Sequence, residues 1–173
     1  ATPLAFAAGQ ATRQVTVEVS GEVVFEGNET FTVVLSNPSA GWSIGDGQGL
    51  GTIQNDDVQP SLAIADLTQF EGTGGSTAFT FQLTLSAPSG FPVSGSFSTT
   101  DGSAVAPGDY AASVLVPFNF PPGTTSTGIT VQVVADAAAE PVEDFTASLA
   151  LVAGAALADG IAQAAILDDD GAP

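Results

Sequence analysis

The sequence predicts an all-β protein, an immunoglobulin-like Greek-key β-sandwich of about seven strands in a tandem repeat. Apolar and polar residues alternate with a period of two through most of residues 61–171. Clusters of Gly, Pro, Asp and Ser interrupt this alternation at short intervals, as turns do. No segment offers a convincing helical face. Short strands separated by frequent turn signals are typical of a two-sheet sandwich.

Seven strands are predicted in the complete repeat. The clearest is "TAFTFQLTLS", where Phe79 and Phe81 alternate with polar residues and therefore face the same side of a sheet. Val131 and Val133 alternate in the same way within "ITVQVV". The segment "ADAAAEP" could begin a helix, but Pro141 argues against one. The predicted strands lie at residues 62–66, 77–86, 93–100, 113–120, 127–135, 143–152 and 161–167.

The chain also repeats itself, and the two copies are offset by 114 positions. "VTVEV" at 15–19 aligns with "ITVQV" at 129–133, and Glu26 aligns with Glu140. After one deletion, "QNDD" aligns with "LDDD". Three parts are therefore predicted. They are the C-terminal half of one repeat at 1–58, which needs completion by other strands, a short linker at 59–62, and a complete repeat at 61–171.

Composition restricts the partners and the chemistry. The sequence has 19 acidic residues and one basic residue, Arg13, for a net charge of -18. Nucleic acid and anionic membrane surfaces are therefore excluded, and cations are favoured. The absence of Cys and His removes the usual ligands of zinc, copper and haem. The longest apolar run, 149–167, is broken by Asp159 and Gly160, so membrane insertion is not expected.

Acidic residues of the complete repeat gather at strand ends. Neighbouring strand ends and connections can share one pole of a sandwich, where several carboxylates would converge. Two like charges about 4 Å apart repel by about 4 kcal/mol at an effective dielectric near 20. A hard cation removes this penalty. Ca²⁺ takes about 6–8 oxygens in flexible geometry and tolerates bidentate carboxylates, so it suits an all-Asp/Glu cluster better than Mg²⁺, which requires a strict octahedron. The residues are Glu71, Asp109, Asp136, Glu140, Glu143, Asp168, Asp169 and Asp170.

Four stretches in this order carry a family resemblance: "TTDGSAVAPGDY", "FPPGTTSTGITVQVVAD", "EPVEDFTASL" and "AAILDDD". The combination resembles the Calx-beta domain of sodium/calcium exchanger regulatory regions and of many extracellular repeat proteins. The resemblance covers nearly all of 61–170 and, in truncated form, 3–57. It implies a seven-stranded sandwich that binds Ca²⁺ through loops at one pole, and a secreted or cell-surface location.

The resemblance also implies which residues bind the metal. In the complete repeat they are the eight strand-end acids named above. Alanines flank Asp136, at Ala135 and Ala137, where fuller sites of the family carry acids, so fewer or weaker ions are expected. In the half-repeat, Asn55 replaces one acid. The remaining metal ligands implied there are Glu22, Glu26, Glu29, Asp56 and Asp57.

Two functions are consistent with these observations. The first is a Ca²⁺-binding structural or adhesive module that stiffens its domain or its junctions with neighbouring repeats. The alternative is a metal-independent filament or adhesin subunit, in which copies assemble by strand complementation or domain exchange into a homopolymer. "LDDD" is then a solvated turn that keeps a sheet edge soluble. An enzyme is not expected, because no His, Cys or Lys is available as base or nucleophile.

Overall fold

The structure is a computed structural model that describes residues 2–171; residue 1, where the predicted half-repeat begins, lies outside this range. Within it every regular element is a β-strand, which confirms the all-β prediction, and no helix could span a membrane. The strands are β1 (Glu29–Val34), β2 (Gln48–Ile53), β3 (Ser61–Ile64), β4 (Leu67–Phe70), β5 (Gly75–Leu85), β6 (Val93–Asp101), β7 (Val116–Phe120), β8 (Ser126–Ala135), β9 (Glu143–Ala153), β10 (Ala156–Asp159) and β11 (Ile161–Leu167).

The complete repeat forms a sandwich of two sheets. One sheet has four strands in the order β10-β3-β5-β8, and the other has five in the order β4-β11-β9-β6-β7. From β3 to β11 the chain changes sheet at every connection except the one between β6 and β7, which are neighbours in the five-stranded sheet. These crossings give the Greek-key sandwich that the sequence predicts.

Alternating apolar side chains fill the space between the two sheets. Phe79 and Phe81 of β5 are fully buried, as are Val133 of β8 and Phe145 of β9. The Phe81 ring centroid lies 5.5 Å from that of Phe97 and 6.0 Å from that of Phe145. The predicted alternation of β5 and β8 is confirmed, because every second residue of these strands faces this aromatic core.

The first predicted strand, 62–66, is wrong as a single element, because it ends at Ile64 and a second strand follows. β3 pairs antiparallel with β5 in one sheet, whereas β4 pairs parallel with β11 in the other. Asp66 lies at the change of sheet, where its Oδ1 accepts a 2.8 Å hydrogen bond from the Gln163 N–H. Asp66 is typical of a strand end or a turn, but nothing in the sequence from Ile64 to Leu67 shows that the next strand joins the other sheet.

Two other boundaries differ from the sequence prediction. β10, which pairs parallel with β3, was not predicted, because all four of its residues are exposed and it has no apolar alternation. The strand predicted at 113–120 begins only at Val116. Leu115 has a left-handed backbone with φ of 50°, and its N–H donates to the hydroxyl of Ser98. The complete repeat has nine strands among the described residues rather than seven.

The internal repeat is confirmed by the register of the strand pairs. β1 and β2 pair antiparallel with Phe31 opposite Gly51, and β9 and β11 pair antiparallel with Phe145 opposite Ala164. Phe31 and Phe145 are equivalent positions of the two repeats. Equivalent 2.8 Å backbone hydrogen bonds also close both hairpins, from Leu35 N to Gly47 O and from Leu149 N to Gly160 O.

The half-repeat contains less regular structure than its complete counterpart. Residues 12–21 correspond to β8, yet no strand is assigned to them in the part of the chain that the structure describes. β8 pairs with β5 along ten residues, from Gly75 opposite Ala135 to Thr84 opposite Ser126. Residues 1–58 do not include a counterpart of β5, and no equivalent of this pairing is described for residues 12–21.

The aromatic core sets the stability of the sandwich. Phe81→Ala should lower the free energy of unfolding by about 3–5 kcal/mol, because it leaves a cavity against two other rings. Urea denaturation of the purified chain measures this change. Phe70→Ala, at a position that is 55% exposed on edge strand β4, is the control and should cost less than about 1 kcal/mol. Equal losses in the two variants would contradict this account of the core.

Candidate metal centre

The carboxylates at one pole meet because two parallel strands end side by side. β4 and β11 are in register, with Phe70 opposite Leu167 at their C-terminal ends. Glu71 follows β4 directly and Asp168 follows β11. The Glu71 N–H donates a 3.0 Å hydrogen bond to the Leu167 carbonyl, which continues the ladder into the loops. The backbone therefore holds two acidic residues next to each other.

Three of these side chains form a close group. Carboxylate oxygens of Glu71, Asp168 and Asp170 all lie within 4.8 Å of one another. A Ca²⁺ ion binds oxygen at about 2.3–2.6 Å, so oxygens on opposite sides of one ion are about 5 Å apart. The spacing of the three side chains therefore fits shared coordination of a single hard cation.

Two oxygens in this group are buried and have no hydrogen-bond partner, Glu71 Oε1 and Asp170 Oδ2. The Glu71 residue is only 5% exposed. Asp144 provides a contrast in the same domain, because its carboxylate accepts hydrogen bonds from the Ser103 hydroxyl and the Gln163 amide. A buried acceptor without a donor is costly, and more so when it is charged. The unpaired oxygens therefore point to a missing positive ligand.

Burial and repulsion both act on the Glu71 carboxyl group. They raise its pKa from 4.5 to about 7, with burial as the largest cause, followed by the charges of Glu140, Asp136, Asp168 and Asp170. The pKa of Asp170 is also raised, by burial first and then by Asp168, Asp169 and Asp136. The charged form of each group is thus destabilised in the absence of a cation.

Asp136 and Glu140 lie at the same pole but outside the close group. Both are exposed in the connection between β8 and β9, and their charges contribute to the raised pKa of Glu71. Asp136 Oδ1 accepts a 2.6 Å hydrogen bond from the Ala138 N–H. These two carboxylates therefore surround the close group electrostatically.

Glu143 and Asp109 form a neighbouring acidic pair. Glu143 is the first residue of β9, opposite Ile166 of β11. Burial raises its pKa first, and the charges of Asp109, Glu140 and Asp144 raise it further. Asp109 is fixed by its loop, since its Oδ2 accepts a 2.6 Å hydrogen bond from the Val105 N–H. Glu140 raises the pKa of both Glu71 and Glu143, so it links the two groups.

Asp169 has a different role from its neighbours in the sequence. Its Oδ1 accepts a 3.0 Å hydrogen bond from the Gly72 N–H, and its side chain is outside the close group. Asp169 therefore ties together the two loops that carry the other acids. Successive residues of an extended chain face opposite sides, and this alternation is a signal that separates Asp169 from Asp168 and Asp170.

The acids of the half-repeat also gather, although less closely. Glu22, Glu26, Glu29 and Asp56 line one cavity of about 290 Å³. The pKa of Glu26 is raised, first by desolvation and then by Glu29, Glu22 and Asp57, and that of Asp57 is raised by desolvation, Glu22 and Asp56. Among residues 2–171, however, the group of Glu71 alone brings three carboxylates within 4.8 Å.

Asn55 stands in the half-repeat where the complete repeat has Asp168. Its side-chain oxygen accepts a 3.1 Å hydrogen bond from the Glu26 N–H, and its amide nitrogen donates to the Asp57 carbonyl. The Asn55 N–H in turn donates to the side chain of Asn28. Asn55 therefore joins the two acidic loops by hydrogen bonds, and it does so without adding a negative charge.

The structure is thus a β-sandwich whose carboxylates converge at one pole in an arrangement that could hold a hard cation. The sequence profile of the Calx-beta domain matches residues 1–57 and, in a second match, residues 54–170. These matches cover nearly the whole sequence, so this chain belongs to the Calx-beta family. No curated protein sequence matches it.

Solved structures show the same fold. The apo form of the Calx CBD1 domain is 24% identical with a TM-score of 0.56, over 65% of this chain and 100% of that domain. CBD12 from CALX1.2 is 26% identical with a TM-score of 0.57, over 64% of this chain and 46% of its own. The calcium binding domain CBD12 of CALX1.1 is also 26% identical with a TM-score of 0.57, over 65% of this chain and 47% of its own. This chain thus spans about half of the CBD12 structures.

The raised pKa of Glu71 predicts how stability depends on pH without metal. The folded protein binds more protons than the unfolded chain between the ordinary value of 4.5 and the folded value of about 7. Stability should therefore fall as pH rises through this window. Thermal denaturation at several pH values in the presence of a chelator measures this dependence. Glu71→Gln should flatten the slope of stability against pH, whereas Asp159→Asn should leave the slope unchanged. Equal slopes in the wild type and Glu71→Gln would contradict the assignment.

Proposed function

We propose that this protein is a Ca²⁺-binding structural module of a secreted or cell-surface repeat protein. The observation that carries the proposal is the buried Glu71 carboxylate, which has an unpaired oxygen and lies among other acids. A cation shared with Asp168 and Asp170 supplies the missing partner. It also neutralises the repulsion that the β4–β11 pairing imposes on these side chains.

The ligand chemistry favours calcium over other metals. The close group offers only carboxylate oxygens, which are ligands of hard cations, and the chain has no Cys or His for softer metals. Ca²⁺ takes about 6–8 oxygens in flexible geometry, so water or the nearby Asp136 and Glu140 can complete its shell. The calcium binding domain CBD12 of CALX1.1, which is 26% identical, supports the same choice.

The ion acts in this proposal as a structural ligand without a catalytic role. Binding only to the folded state stabilises it by about 2.7 kcal/mol at a hundredfold excess over Kd. A site with three close carboxylates needs no high affinity outside the cell, because extracellular calcium modules work with Kd values of about 0.1–1 mM. An extracellular module with a role in adhesion is the context that we propose.

A second ion, bound by the acids of the half-repeat, would act at the junction between the two repeats. Phe25 lies in the acidic loop of the half-repeat, and its N–H donates a 3.2 Å hydrogen bond to the Pro88 carbonyl of the complete repeat. The Gly90 N–H donates a 2.8 Å hydrogen bond to the Phe25 carbonyl. The rings of Phe25 and Phe91 pack edge to face, with their centroids 6.1 Å apart. Calcium bound by Glu22 and Glu26 would stiffen this loop and hence the junction.

Calcium titration tests the site directly. Isothermal calorimetry of the chelator-treated chain should show saturable binding, and the melting temperature should rise with calcium concentration. Glu71→Gln should abolish binding at the close group because it removes one anionic ligand. Asp159→Asn removes the same charge from a turn where an amide oxygen can still accept the Ile161 N–H, so it should bind normally. A wild-type chain without binding or thermal shift would refute the proposal.

Small-angle X-ray scattering tests the junction. Calcium should narrow the distribution of interatomic distances, because it restrains the half-repeat against the complete one. Phe25→Ala should remove this effect, whereas Val23→Ala, at a position that is 69% exposed in the same loop, should retain it. An unchanged distribution in the calcium-bound wild type would show that the ion leaves the junction flexible.

A further inference from the structure

We propose that Thr77 and Asp169 are positioning residues of the metal centre, which hold the main chain at Glu71 so that its carboxylate stays in the close group. This role rests on the proposed function, since it determines how tightly the same site binds its ion. Both side chains form hydrogen bonds to the main chain directly after the Glu71 Cα. They are hereafter called the two anchors.

The two anchors hold a single peptide group, the one between Glu71 and Gly72. The Thr77 hydroxyl donates a hydrogen bond to the Glu71 carbonyl. The Gly72 N–H donates a 3.0 Å hydrogen bond to Asp169 Oδ1. Because a trans peptide is planar, its C=O and its N–H point in opposite directions, and the two bonds hold the plane from opposite sides. The peptide group therefore cannot rotate without loss of a hydrogen bond.

The peptide group that precedes Glu71 is held as well, by the 3.0 Å hydrogen bond from the Glu71 N–H to the Leu167 carbonyl. Both peptide planes next to the Glu71 Cα are thus fixed. They set the direction in which the side chain leaves the main chain, toward Asp168 and Asp170. A ligand that is already oriented loses less conformational freedom when the ion binds, so the site binds more tightly.

The residue between the two anchors has to be small. Gly72 has a φ of 88°, in the left-handed region that favours glycine. A Cβ added at Gly72 would lie 3.2 Å from the Thr77 hydroxyl oxygen, which is closer than ordinary contact. A side chain at this position would strain the turn and press against the Thr77 anchor. Glycine at position 72 therefore allows Thr77 to reach the Glu71 carbonyl.

The two anchors come from different sheets of the sandwich. Thr77 lies on β5, opposite Val133 of β8, in the four-stranded sheet. Asp169 follows β11, which belongs to the five-stranded sheet. Glu71 is therefore attached to both sheets, and neither anchor needs to contact the ion. The Asp169 anchor requires an acceptor oxygen and not a negative charge, which separates its role from that of a metal ligand.

Calcium calorimetry of the full, chelator-treated chain tests the Thr77 anchor. Thr77→Val keeps the shape of the side chain but removes the hydroxyl, and it should raise the Kd about 10–100-fold, as loss of a group that orients a metal ligand typically does. Thr77→Ser retains the hydroxyl and should bind as the wild type does. Thr80→Val is the control, because it removes a hydroxyl that contacts Thr130 on the exposed face of the same strand.

A matched pair of variants tests the Asp169 anchor. Asp169→Asn and Asp169→Ala both lack the charge, but only Asn keeps an acceptor oxygen for the Gly72 N–H. Asp169→Asn should therefore bind calcium at least about tenfold more tightly than Asp169→Ala.

Urea denaturation in a chelator shows that each variant is folded, and if Thr77→Val is not, the Asp169 pair decides the matter. Equal Kd values for Asp169→Asn and Asp169→Ala would overturn the inference, because Asp169 would then act through its charge. A folded Thr77→Val that binds as tightly as the wild type would also overturn it and leave the proposed function intact. A wild-type chain that binds no calcium would refute both.

Discussion

The parallel pairing of β4 with β11 is the constraint on which the metal centre depends. Backbone hydrogen bonds fix the ends of these strands side by side, and Glu71 and Asp168 are the residues that follow. The ladder holds these two residues side by side, and their carboxylates lie close together in the folded chain. Their repulsion is therefore built into the fold, and the raised pKa of Glu71 reflects it. In the proposed function, a bound cation would neutralise this repulsion.

The rest of the domain holds this constraint in place. β3 belongs to one sheet and β4 to the other, so the first strands connect both halves of the sandwich before Glu71 is reached. The aromatic core then fixes the two sheets against each other, with Phe81 between Phe97 and Phe145. A cation bound at this pole would meet loops whose first residues the β4–β11 ladder already holds side by side.

Comparison of the two repeats shows which parts of the sandwich form without the N-terminal half of the repeat. The β1–β2 hairpin keeps the register of β9–β11 without the opposing sheet, so local pairing suffices for it. The segment equivalent to β8 takes no strand pairing, because that pairing requires a distant partner. The acids of the half-repeat likewise approach one another less closely. Equivalents of Glu71 and Asp109 are absent there, because they belong to the missing half.

The sequence predicted what depends on alternation and repetition. Alternating Phe79, Phe81, Val131 and Val133 identified the buried faces, and the 114-residue offset identified the hairpin that occurs twice. The position of the acidic residues at strand ends also predicted that they share one pole of the sandwich. What the sequence did not reveal was the sheet switch at Asp66, because that turn depends on a hydrogen bond from distant Gln163. The exposed β10 strand carried no apolar signal at all.

The separate role of Asp169 was also beyond the sequence prediction. Three consecutive aspartates look equivalent by composition, and although alternation along an extended chain sets the middle one apart, its role is visible only in the hydrogen bond from Gly72. Asp136 and Glu140 were predicted as ligands together with Glu71, yet the structure places them around the close group rather than in it. Which acids share one ion depends on loop conformations, and these are set by contacts between segments far apart in the chain.

The most direct test is a crystal structure of the chain grown with calcium, with diffraction data collected at a long wavelength. The account predicts an anomalous difference peak within about 2.3–2.6 Å of carboxylate oxygens from Glu71, Asp168 and Asp170. The unpaired oxygen of Glu71 would then have its partner. A structure at saturating calcium with no peak at this position, and with the three side chains turned away from one another, would contradict the account.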